Sequence, residues 1–153
     1  MGKRREGREA AVQFLYQLDL NVEAPSVLFP AFWDLRSGPA QQPTTAKTRS
    51  FAEQLVAGVA AHQTEIDEQI KKFAVNYDLH RISAVDRNIL RVAIYEMLHS
   101  LEVPPVVSIN EAIEIAKRFG NEESGRFING ILDRVRGELN RPAREAAPGA
   151  SER

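Results

Sequence analysis

The chain has 153 residues, 43% of them hydrophobic, enough for one compact domain with a sizeable core. Its formal net charge is −1, so a protein basic all over is excluded and any nucleic-acid surface must be a local patch. Cysteine is absent, which excludes disulfides, thiolate metal sites and a cysteine nucleophile and fits a reducing cytoplasm.

The N-terminus is charged and no apolar stretch follows it, so no signal peptide is expected. No apolar run approaches the roughly 18 residues that a membrane span needs. Apolar residues recur at helical spacing almost throughout, and period-2 alternation is missing. The spacing therefore predicts an all-α domain of about seven helices.

The first helix is expected over about residues 5–20, with Ala11, Phe14, Leu15 and Leu18 as its buried stripe. An aromatic segment follows from Ser26 to Arg36, with Pro30 near its start or bending it. Residues 37–45 read as a loop. The next helix starts near Thr45 and buries Phe51, Ala52, Leu55, Val56 and Val59. Gly58 lies inside it at a cost of about 1 kcal/mol relative to Ala, which close approach of another helix would offset. A short helix from Thr64 buries Ile66, Ile70 and Phe73 and leaves Asp67, Glu68, Lys71 and Lys72 solvated.

Ser83 and Asp86 form a capping-box pattern. The helix they open, about 84–100, is apolar over most of its circumference, the signature of a central helix. Pro104 and Pro105 stop the chain. Ser108 and Glu111 form a second capping-box pattern, and Gly120 suits the end of the helix that follows. The last helix, about 122–139, carries Phe127, Ile128, Ile131, Leu132, Val135 and Leu139 in one arc. Residues 1–140 thus read as one domain. Residues 141–153 hold no large apolar residue and are expected to be a disordered tail.

Lys3, Arg4, Arg5 and Arg8 cluster at the start of the first helix. Projected at about 100° per residue, Arg5, Arg8, Val12 and Tyr16 share one side, next to the buried stripe. Arginine pairs with phosphate and tyrosine stacks on bases, so this strip suits RNA. A solubilising N-terminus with a half-buried Tyr16 is the alternative reading, and both stay open on composition. At the start of the last helix Arg126 stands beside Phe127, which reads either as a base-stacking rim residue or as core. Gly125 and Gly130 point to close packing or a nearby ligand.

Glu96 falls inside the apolar arc of the central helix and needs a partner such as an arginine. Arg87, Arg91 and Tyr95 occupy that helix's narrow polar strip, a candidate protein-docking surface or an ordinary solvent face. Catalytic signals are poor. His62, His80 and His99 show no metal-ligand spacing. No nucleophile elbow, Walker A or dinucleotide glycine pattern occurs, and no catalytic residue or cofactor is expected.

Several segments in order resemble the bacterial transcription antitermination factor NusB family: residues 4–9 through Gln13-Phe14-Leu15-Tyr16, residues 85–91 through Tyr95-Glu96, Val103-Pro104, residues 109–117, and residues 127–133. The last two, INEAIEIAK and FINGILD, following a DRNILR helix, are the specific ones. The resemblance implies two three-helix sub-bundles, no enzyme activity and a cytoplasmic RNA-binding protein. It implies boxA RNA and the small-subunit ribosomal protein NusE as partners, with NusA, NusG and RNA polymerase completing the antitermination complex on ribosomal RNA operons.

The resemblance places RNA contacts on Lys3, Arg4, Arg5, Arg8, Gln13 and Tyr16, and on Glu123, Arg126 and Phe127. It places partner docking on Asp86, with Arg87, Arg91 and Tyr95 on the same helix. Gly7 departs from the family's arginine run and weakens the early helix, Glu123 stands where the family often has Asp, and the Phe29–Thr45 region carries no family pattern. Two rival readings are an accessory domain like that of ribosomal RNA methyltransferases and a purely protein-binding helical scaffold. The polar-apolar helix face could also serve a second copy of the chain, as a homodimer.

Overall fold

A computed structural model describes residues 3–20, 25–36, 44–75 and 78–139. Among them are seven α-helices, one 3₁₀ turn and no strand: α1 Lys3–Leu18, α2 Pro25–Arg36, α3 Ala46–Ala61, α4 Gln63–Phe73, α5 Ala84–His99, α6 Pro105–Phe119 and α7 Ser124–Glu138. No described helix is long and apolar enough to cross a membrane. The expected tail, residues 141–153, lies outside the described residues.

The near-continuous apolar surface of α5 makes it the hub. It packs against α1, α3, α4, α6 and α7, while α1 pairs with α3 and α6 with α7. Ile89, Leu90, Ile94 and Met97 of α5 are almost fully buried, as are Phe14, Ile66, Ile70, Ile115, Ile128 and Leu132 around it. Helix α2 closes one end with aromatic rings. Phe14 lies 4.7 Å from Phe29 and 4.9 Å from Phe32, and Phe32 meets Trp33 edge-on at 5.0 Å. Pro30 is accommodated inside α2, not at its start.

Caps follow local chemistry. Thr45 Oγ1 accepts from the Thr48 N–H at 3.2 Å, and Ser83 Oγ accepts from the Asp86 N–H at 3.1 Å. The second expected capping box does not form. Proline is suited to the first helical position, so α6 begins at Pro105 with Pro104 as its N-cap. That leaves Ser108 buried inside the helix and turns Glu111 toward α1. Asp67 is also not solvated. It is buried, and both its oxygens accept from Arg91, at 2.9 and 3.0 Å.

Two glycines mark helix crossings. A β-carbon at Gly58 would overlap the Tyr95 ring of α5, and one at Gly7 would lie 2.6 Å from Phe51 Cδ2 of α3. Gly7 therefore lets α1 approach α3, which offsets its low helix propensity. Gly125 and Gly130 do not mark tight packing: a β-carbon at Gly125 would meet only Ile113 at 3.9 Å, and one at Gly130 would meet nothing within 4 Å.

Candidate nucleic-acid and partner interface

The basic strip of α1 divides into an outer and an inner part. Lys3 and Arg4 are exposed, and the Arg4 guanidinium lies 4.8 Å from the centre of the Phe51 ring. Arg5 is half-buried and donates to both oxygens of Glu111, each at 3.1 Å from Nε. That hydrogen bond is the main reason its pKa sits above the ordinary arginine value; burial opposes it. Arg8 is buried and forks onto Glu96, at 2.7 Å from Nε and 2.9 Å from Nη2. Glu96 thus has the arginine partner that its sequence position demanded. The expected phosphate contact from Arg8 does not fit this geometry, because its donors face inward and are occupied by a carboxylate.

Further along α1, Gln13 accepts from Arg36 Nε at 3.0 Å. Tyr16 is 44% exposed and lines an apolar cleft of about 450 Å³ with Val12, Phe32, Leu35, Val85 and Phe119. The helical projection places Arg5, Arg8, Val12 and Tyr16 on one side. In the folded chain that side dips into the core at Arg8 and Val12 and re-emerges at Tyr16.

The second expected region gathers around the start of α7. Glu123 and Arg126 are exposed and Phe127 is half-buried against the core. The Asn121 side-chain carbonyl accepts from the Glu123 N–H at 2.9 Å, which fixes the turn. Arg126 lines a depression with Lys117 and Ile113 of α6. Glu123 and Phe127 line a separate groove with Asp86 and Arg81.

Lys117 and Arg118, which sequence reasoning did not single out, are largely exposed on α6. Arg118 donates to the buried carboxylate of Glu9 at 2.8 Å and so ties α6 to α1. Their signal was visible as adjacent cations off the apolar stripe at a helix C-terminus, but only the fold sets Lys117 beside Arg126 and Arg118 beside Glu9.

The polar strip of α5 is not one docking face. Arg91 is buried between Asp67 and Asp19, reaching Asp19 at 3.2 Å. Arg87 donates to the carbonyls of Leu79 and Ile82 and to Asp19 at 3.1 Å. Tyr95 turns the other way, into the notch over Gly58. Arg87, Arg91 and Tyr95 are therefore joints between helices, since their polar groups or rings are already used inside the fold. Asp86 lines the groove shared with Glu123 and Phe127. It is buried, and its Oδ1 has no hydrogen-bond partner in the protein.

Comparison with known proteins gives these positions a context. The NusB family model matches residues 5–136. The transcription antitermination protein NusB of Myxococcus xanthus is 44% identical over 143 residues, covering 93% of this chain and 100% of that one. The NusB of Bacillus subtilis is 43% identical over 137 residues, covering 90% and 97%. Among solved structures, T. maritima NusB superposes with a TM-score of 0.78 at 34% identity, covering 98% of this chain and 97% of that one. A complex of the antitermination factors NusB and NusE with double-stranded RNA matches with a TM-score of 0.77 at 26% identity, covering 91% and 99%. The chain belongs to the NusB family of transcription antitermination proteins.

Proposed function

We propose that this chain is a non-enzymatic RNA-binding adaptor that acts with NusE on boxA RNA. The observation that carries the reading is the exposure of Lys3 and Arg4 on α1, Lys117 and Arg118 on α6 and Arg126 on α7, taken together as a basic rim, in a chain whose fold matches NusB in a NusB–NusE–RNA complex. Lys3, Arg4 and Arg126 engage phosphates, with Arg5 held at the rim by Glu111. Tyr16 and Phe127 offer ring faces to bases. NusE takes the surface that holds the cleft lined by Tyr16 and Val85 and the groove lined by Asp86 and Glu123. The Asp86 and Glu123 carboxylates in that groove suit basic side chains of a ribosomal protein.

In this reading the pair joins NusA and NusG on RNA polymerase and supports processive transcription of ribosomal RNA operons in the cytoplasm. The test is fluorescence anisotropy with boxA RNA, with and without NusE. Lys3→Ala with Arg4→Ala, and separately Arg126→Ala, should weaken binding, and Asp86→Asn should weaken only the NusE-dependent part. Loss of neither component in these variants would overturn the assignment. A homodimer closed over the Tyr16 cleft would appear in sedimentation as a species that NusE dissociates.

A further inference from the structure

The fold brings together three residues that the chain keeps apart. His62 sits at the junction of α3 and α4, Glu65 in the first turn of α4, and His99 at the last residue of α5. One donor atom from each lies within 4.8 Å of the other two. His99 Nε2 is 2.6 Å from Glu65 Oε1, and His62 Nδ1 is 3.8 Å from the same oxygen. The two imidazoles stack at 3.9 Å between centroids, tilted by 23°.

We propose that His62, Glu65 and His99 form a binding site for a divalent transition-metal ion of the zinc type. Two imidazole nitrogens and one carboxylate oxygen are a donor set that such ions favour, with solvent completing the coordination. A hydrogen bond accounts for the contact between Glu65 and His99. It does not account for His62, whose nitrogen is too far from the carboxylate to share a proton yet close enough to share an ion. Metal–ligand bonds of about 2.0–2.2 Å place ligand atoms about 3.3 Å apart. The present spacings bracket that value, so closure needs only that partly exposed side chains splay and shift slightly.

The frame behind them is firm. The His62 N–H donates to the carbonyls of Gly58 and Val59, at 3.1 and 3.2 Å. Tyr95, seated over Gly58, stacks on both rings, 6.1 Å from His62 and 5.5 Å from His99. An ion here would pin the α3–α4 corner to the end of α5. The site is independent of the RNA-binding reading.

The test uses the untagged full chain, stripped of metal and titrated with Zn²⁺ by calorimetry, with Co²⁺ as an optical probe. One ion per chain should bind, with ligand-field absorption from Co²⁺ and a raised Tm with Zn²⁺. His62→Ala and His99→Ala should each weaken binding by roughly tenfold or more, since even outer-sphere partners of a metal are worth that much. His80→Ala should leave it unchanged, and circular dichroism checks that each variant is folded. Absence of one-to-one binding, affinity unchanged from the parent in the His62 or the His99 variant, or binding that follows His80 would overturn the proposal.

Discussion

Arg8 illustrates how a charge read as surface becomes interior, paired with Glu96, which the sequence already placed inside. Both side chains are almost wholly enclosed, at 5% and 1% exposure, and they meet through two parallel hydrogen bonds. Arg8→Ala leaves the Glu96 carboxylate buried without its partner, at a cost of about 3–5 kcal/mol. Urea unfolding should show that loss directly. Arg4→Ala, at an exposed site, should change stability by no more than about 0.5 kcal/mol. Equal stability of the two variants would contradict the structural role of Arg8.

Asp19 makes a second residue-scale case. Burial pushes its pKa up, but hydrogen bonds from Asn88 and Arg87 and the Arg91 charge outweigh that and hold it below the ordinary value of 3.8. A carboxyl whose folded pKa is depressed contributes stability above its unfolded pKa and loses it as pH falls through the folded pKa. Asp19→Asn should therefore cost about 1–3 kcal/mol at neutral pH, the range for hydrogen bonds to charged groups. The gap from the parent should close as pH falls below the ordinary aspartate range. A gap constant from neutral to strongly acid pH would show that the Asp19 charge contributes nothing.

At the scale of elements, helix crossings decide which glycines matter. Gly58→Ala drives a methyl group into the Tyr95 ring where α3 crosses α5, and overpacking of this kind costs about 1–3 kcal/mol. Gly130→Ala meets open space on α7 and should stabilise the chain by up to about 1 kcal/mol through helix propensity alone. Thermal unfolding of the two variants should thus shift in opposite directions. Sequence periodicity located α3, α5 and α7 well, because each carries a long apolar arc and α3 and α5 also carry a side-chain N-cap. It misplaced the start of α6, because Ser108 and Glu111 imitate a capping box while Pro105 begins the helix one turn earlier. It also left the aromatic segment without a family pattern, although Phe29, Phe32 and Trp33 complete the core around Phe14.

Across the whole molecule, the all-helical class and the central place of α5 were legible from spacing, since a helix apolar nearly all round can only be enclosed. Of the proposed site, sequence pattern foretold the exposure of the outer members: Lys3, Arg4, Tyr16, Glu123 and Arg126 lie at the surface. The inner members were not foretold, because long-range ion pairs are invisible to local pattern. Arg8 finds Glu96, 88 positions away, and Arg91 finds Asp19, 72 positions away. Periodicity marks a position near the core but says nothing of the carboxylate waiting there.

In the proposed function RNA is held by the exposed rim and not by the buried arginine. The most direct measurement is the salt dependence of boxA RNA binding in the presence of NusE. Each phosphate contact to single-stranded RNA contributes about 0.7 to the slope of log affinity against log salt. Replacing Lys3, Arg4 and Arg126 together by alanine should lower that slope by about 2 while the protein stays folded. An unchanged slope and affinity in the triple variant would show that these three cations do not hold the RNA.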